Sequence, residues 1–310
     1  MKNKNLIIYT AAVLCMVFWG LSFIWTSVVL EYYSPITTIF LRLTLSSALL
    51  FFFIKVTGKF EKIKKEDYKL FLLSALFNPF FYFIGENYGL KFSSPTITSV
   101  IIATIPLFTP IFGYFILKER LSKINIFGLL FSFFGVLVII FNNNLSLNTD
   151  PKGLAFLFFA VASAVVYSIL LKKLAFKYNP FTVIATQNAI GTLFFLPLFL
   201  TFDFHQFIQT SVDFRLISSL VSLAVFASSL AFVFFTFATR ELGISKTGIF
   251  TNLIPAFTAL FSFILLNEIF DSRKITGIAI VLGGVFLGQM KKPQKLVNAY
   301  RFIFRDRNNL

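Results

Sequence analysis

The stretch Gly89 to Arg120, GLKFSSPTITSVIIATIPLFTPIFGYFILKER, decides the fold. It carries no charge from Ser94 to Ile116 and stops on Lys118, Glu119 and Arg120. A run of that length matches the roughly 20 apolar residues that cross a hydrocarbon core of ~30 Å. It also holds Pro95, Pro106 and Pro110. Proline interrupts a helix in water, but inside a membrane neighbouring helices and hydroxyls can satisfy the freed carbonyls.

The stretch occurs twice. Shifted by 149 residues, Ile105-Pro106-Leu107-Phe108-Thr109 falls on Ile254-Pro255-Ala256-Phe257-Thr258, and Phe112, Leu117 and Glu119 fall on Phe261, Leu266 and Glu268. Ile126, Gly128, Gly135 and Val136 meet Ile275, Gly277, Gly284 and Val285, so 11 of the 32 positions 105–136 are identical. Composition alone would give roughly 2 to 4 matches in so apolar a chain. A weaker echo sets Ser34-Pro35-Ile36-Thr37 against Asn179-Pro180-Phe181-Thr182. Repeats of this period in a membrane chain point first to a transporter built from two related halves.

Hydrophobic residues make up 57% of the 310 positions, including 46 Phe, and only 13% are charged, which excludes an ordinary soluble domain. The net charge of +15 could suit nucleic acid, yet the basic residues are scattered between apolar runs and form no single patch. They read as an orientation signal, so the partners are the lipid bilayer and a small-molecule substrate, with no nucleic acid and the oligomeric state left open. Cys15 is the single cysteine, and the one histidine, His205, stands beside Asp203 without a metal-ligand cluster. With no phosphate-binding loop or nucleophile elbow, no cofactor, metal or enzymatic activity is expected. Any active transport then draws on a gradient, and coupled protons are a candidate.

Ten apolar segments can be marked, at 7–30, 34–54, 70–90, 94–117, 123–141, 153–171, 180–202, 215–239, 244–267 and 275–290. The polar, proline-closed loop 143–152 divides a first half, 1–142, from a second, 153–290, and a basic cytoplasmic tail follows at 291–310. Counting Lys and Arg on alternate sides of these segments gives 22 against 5, with Arg42 inside a span. That bias places both termini in the cytoplasm and requires an even number of spans. Five spans per half make the halves insert with opposite orientation. The expected fold is therefore an all-α membrane protein, ten transmembrane helices as two inverted five-helix repeats, in the cell (inner) membrane.

The sequence resembles the EamA-type ten-helix permeases of the drug/metabolite transporter superfamily. The resemblance rests on Phe18-Trp19-Gly20 with Ser22-Phe23, on Phe40-Leu41-Arg42, on Pro106 with Leu117-Lys118-Glu119-Arg120-Leu121-Ser122, and on Gly128 and Gly135. The second copy repeats Pro255, Glu268, Gly277 and Gly284 but reads Asn267-Glu268-Ile269 where the family often has a Gly-Glu-Arg-like run. The resemblance implies transport of amino acids or other small metabolites through a central cavity lined mainly by spans one, three, four, six, eight and nine.

Within the spans, Asn78, Tyr82 and Glu86 recur at i, i+4 and i+8 and form a polar stripe. Membrane-embedded carboxylates usually face a cavity or partner, so Glu86 reads as a substrate contact or protonatable switch, or else as an interfacial acid beside Lys91. Trp19 and Ser22 share a mixed face of the first span, and Trp19 could floor a cavity for an apolar substrate. Tyr167, Thr251 and Asn252 complete the candidate cavity. Pro106 and Pro255 read as helix kinks, Glu119 and Glu268 as gating clamps, and Arg42 as a structural charge. The expected activity is gradient-driven export of small organic metabolites such as amino acids by alternating access. A passive channel or membrane sensor is the alternative.

Overall fold

A computed structural model describes residues 2–59, 61–108, 123–141, 149–243, 247–248 and 250–289. Along the described residues run the helical segments α1 Lys2–Leu30, α2 Pro35–Thr57, α3 Lys65–Lys91, α4 Pro95–Phe108, α5 Lys123–Ile140, α6 Pro151–Lys177, α7 Pro180–Gln209, α8 Phe214–Leu242, α9 Leu253–Leu266 and α10 Ser272–Gln289. Among the described residues there are no strands, and six of the helices are long and apolar enough to cross a membrane. Glu119, most of the loop 143–152 and the basic tail lie outside the described residues.

The starts of the helices are written in the sequence. Ser34, Ser94, Asp150 and Asn179 each cap a helix that has proline in its first turn, and Asp213 caps α8. The side-chain oxygen takes an orphan backbone N–H, and proline supplies a fixed φ where no N–H is needed. In a bilayer those N–H groups would otherwise meet hydrocarbon.

Small residues set how the helices pack. A Cβ built on Gly284 of α10 would lie 2.4 Å from the backbone nitrogen of Ser132, and one on Gly135 would lie 2.7 Å from that of Val281, so α5 and α10 touch backbone to backbone. Gly85 brings α3 against the carbonyl of Phe156 on α6 in the same way, and Gly20 brings α1 against Phe257 on α9.

α2 and α7 lie antiparallel, and each end of the pair is tied by a carboxylate. Asp203 of α7 accepts from the Thr37 N–H (3.1 Å), the Thr37 hydroxyl (2.8 Å) and Ser34 at the start of α2. At the opposite end Glu61, just beyond α2, accepts from the Asn179 N–H at 2.6 Å, while Asn179 donates to the Lys59 carbonyl. Each acid therefore sits at the positive end of the other helix's dipole.

Two differences from the sequence reading matter. α3 begins at Lys65 because Asp67 is buried there and tied to Lys177 (2.6 Å) and Tyr178 (2.7 Å). α7 continues past residue 202, because Phe207 finds ring contacts with Tyr33 and Phe199.

Candidate functional site

The site begins with breaks in helical order. α3 carries a π-helical segment, Leu76–Phe81, where Asn78 leaves helical geometry (φ −149°, ψ 118°) and the Asn78–Pro79 peptide is cis. Pro79 cannot donate to the ladder, and the carbonyl of Phe77 accepts from the Ser163 hydroxyl of α6 at 2.7 Å. α8 carries a second π-helical segment, Leu223–Ala231, in which Ser229 bonds the carbonyl of Ala224. Such wide turns recur at functional sites because they re-aim side chains. One consequence is that Asn78 is off the regular helical stripe of Tyr82 and Glu86, although all three are buried.

Between these segments lies a buried polar crossing. Arg42 of α2, 2% exposed, donates through Nε to the Ser228 hydroxyl of α8 at 2.8 Å, and its guanidinium lies 4.3 Å from the Phe83 ring centroid. Glu86, 7% exposed, accepts from the Tyr82 hydroxyl at 2.8 Å. Arg42 and Glu86 interact electrostatically, though among the described residues no ion pair joins them. Asn188 of α7 donates to Ser46 (2.7 Å) and to the carbonyl of Ser228 (3.0 Å), and Ser46 meets Ser229 at 2.7 Å. Glu86 thus reaches inward and not to Lys91 at the helix end.

Trp19 stands beside this crossing through a chain of rings. It meets Phe232 and Phe235 of α8, both at 5.0 Å, and Phe232 meets Phe83 edge-on at 6.2 Å. The remaining candidates sit elsewhere. Ser22 bonds the carbonyl of Trp19, and Tyr167 donates to Gln187, which in turn donates to Ser74. Pro106 and Pro255 each follow a turn that interrupts helical order, at residues 103–104 and 251–252. Thr251 bonds the carbonyl of Gly248, Asn252 adjoins the start of α9, and Gly248 lies beside Pro106. The partners Ser46, Asn188, Ser228 and Ser229 were missed by motif reading. The paired polar residues 46–47, 187–188 and 228–229 inside apolar runs were the available signal.

Glu268 ties the halves at one end. It accepts from Thr96 of α4 at 2.7 Å and pairs with Lys274 of α10. Burial works against its ionisation, but hydrogen bonds from Lys274, Thr96 and Ser94 outweigh it and hold the carboxyl below its ordinary value of 4.5. A depressed carboxyl contributes stability above its unfolded pKa that is lost as pH falls through the folded one. Glu268→Gln should therefore melt below the parent at pH 7, with the gap closing below about pH 4.5. Thermal unfolding in detergent from pH 3 to 7 reads this, and a constant gap would contradict it. Nearby, a cavity of about 710 Å³ opens among Lys91, Ser94, Asp150, Arg273 and Lys274. None of the crossing residues lines it.

The EamA-like transporter family matches residues 6–141 and again 151–288. This chain belongs to the EamA-like transporter family. As an EamA-like protein it is a multi-pass membrane transporter. It is similar to an uncharacterized transporter of Archaeoglobus fulgidus, at 27% identity over 90% of this chain and 97% of the relative. It is also similar to the uncharacterized transporter YetK of Bacillus subtilis, at 26% identity over 82% of this chain and 78% of YetK. A crystal structure superposes with a TM-score of 0.67, covering 91% of this chain and 98% of its own; at 16% identity that likeness speaks for the fold alone.

Proposed function

We propose that this EamA-family transporter is a secondary carrier, not an enzyme, that exports small organic metabolites such as amino acids. The observation that carries the reading is the crossing itself, where buried Arg42 of the first half, facing Glu86 electrostatically, bonds Ser228 of the second, and Asn188 of the second half bonds Ser46 of the first. Charges held this deep among apolar helices are costly and mark solute or ion pathways. Since both halves supply the crossing, rocking one against the other exposes it to one side and then the other.

Two inverted halves are supported by the reciprocal carboxylates, Asp203 at the start of α2 and Glu61 at the start of α7. The π-helical segments at related places in α3 and α8 support the same relation. The distribution of Lys and Arg supports cytoplasmic termini, and the cell (inner) membrane is the location proposed for the protein. Trp19, Phe232 and Phe235 form an aromatic wall that suits an apolar or aromatic side chain. Glu86 is the group that would exchange a proton, and Pro106 and Pro255 are the points about which α4 and α9 bend.

Uptake of labelled amino acids into everted membrane vesicles tests direction and driving force. Export predicts saturable uptake, above that of vesicles lacking the protein, that collapses when a protonophore is added. Uptake confined to right-side-out vesicles would reverse the direction, and linear, non-saturable uptake would favour a passive channel. Saturable uptake that ignores the protonophore would remove proton coupling.

A further inference from the structure

Resting on the carrier reading, we infer that Arg42 and Glu86 form a two-point recognition site for the opposite charges of a net-neutral, bipolar solute. The first observation is an unmet donor. Nε of Arg42 is committed to Ser228, but the terminal nitrogen Nη1 is buried and makes no hydrogen bond to any described residue. Arginine cannot shed its charge, and buried donors without partners are rare in native structures. A solute carboxylate satisfies this nitrogen with a charge-assisted hydrogen bond.

The second observation lies opposite. Tyr82 occupies one carboxylate oxygen of Glu86, and no described residue donates to the other. That oxygen accepts from a solute ammonium. The two residues come from neighbouring helices, and their charges interact without collapsing into a pair that would have to be broken before a solute could enter.

Charge balance decides which solutes fit. The crossing sets one guanidinium against one carboxyl, whose charges sum to zero when both are ionised. A monoanion or a monocation would leave a net charge among apolar helices, where an uncompensated charge is strongly disfavoured. A bipolar solute keeps the sum at zero while satisfying both free atoms. The adjoining rings of Phe83, Phe232 and Trp19 are left for its side chain.

The test uses the full chain in proteoliposomes loaded with a mixed pool of the twenty amino acids. External labelled amino acids are competed by two analogues of the best-exchanged one, lacking either the ammonium or the carboxylate. The site predicts that each analogue competes at least tenfold more weakly than the parent. It further predicts that Arg42→Gln removes the remaining preference between the parent and its decarboxylated analogue, and that Glu86→Gln does so for the deaminated one. Arg42→Lys, which keeps the charge, should hold the maximal rate while raising the half-saturating concentration, a split that a purely structural arginine would not give.

Equal competition by either analogue in the wild-type protein overturns the inference without needing any variant and leaves the carrier reading standing. Exchange confined to solutes with a single charge does the same. Absence of exchange for every bipolar solute tested, with facilitated but unexchanged flux, overturns both readings.

Discussion

Gly284→Leu separates α10 from α5, and the purified protein should lose its folded, monodisperse form. A Cβ at this position meets the backbone nitrogen of Ser132 at 2.4 Å and its Cα and Cβ at 2.7 Å. No rotamer change can relieve a clash with backbone, so the whole helix has to move. Inserting even a few extra carbons into a close-packed contact costs about 1–3 kcal/mol, and a leucine at a backbone crossing belongs at the upper end of that range. The reciprocal contact of Gly135 with Val281 is disturbed by the same movement. Gly283→Leu is the control. The nearest atom to a Cβ there is Cε1 of Phe131 at 3.7 Å, an ordinary contact. Size-exclusion profiles and melting in detergent should place Gly283→Leu near the parent and Gly284→Leu well below it. Equal behaviour of the two would mean that α5 and α10 are not packed as described.

Glu86→Gln should cut solute exchange by ~10-fold or more, on the scale of one lost charge-assisted hydrogen bond worth about 1.5–3 kcal/mol. The amide keeps the volume and can still accept from Tyr82, so the fold is preserved. What disappears is the negative charge facing Arg42, together with the carboxyl to which the proposed mechanism assigns proton exchange. The parent's dependence of exchange on pH should flatten in the variant. Exchange measured from pH 5.5 to 8 decides this, and unchanged rates across that range would remove Glu86 from the mechanism.

The starts of α2, α4, α6, α7 and α8 were readable because they depend on two local signals, apolar run length and cap residues. Ser34-Pro35 and Asn179-Pro180 announce α2 and α7 directly. Where tertiary contacts extend a helix, the signal fails. Asp67 and Lys65 look like loop residues until Lys177 and Tyr178 are known to lie opposite. In the same way Phe204 to Gln209 look like an exterior loop until Phe207 finds Tyr33. Of the site, Trp19, Tyr82, Glu86 and Arg42 stood out as polar or aromatic exceptions in greasy spans. Their partners did not, because Ser228 is 186 residues from Arg42 and a serine in a membrane helix is most often packing glue. Asn78 shows a subtler failure. Regular spacing assumes 3.6 residues per turn, and the π-helical segment around Pro79 breaks that assumption.

Alternating access requires the crossing of the two halves to carry solute by exposing it to each side in turn. Counterflow tests this most directly, with protein in liposomes preloaded with unlabelled amino acids and labelled amino acid added outside at low concentration. A carrier predicts a transient, saturable accumulation of label above equilibrium, abolished when Tyr82 is replaced by tryptophan to crowd the crossing. Label that only drifts to equilibrium, at a rate independent of what is inside, would contradict alternating access and leave a passive pore.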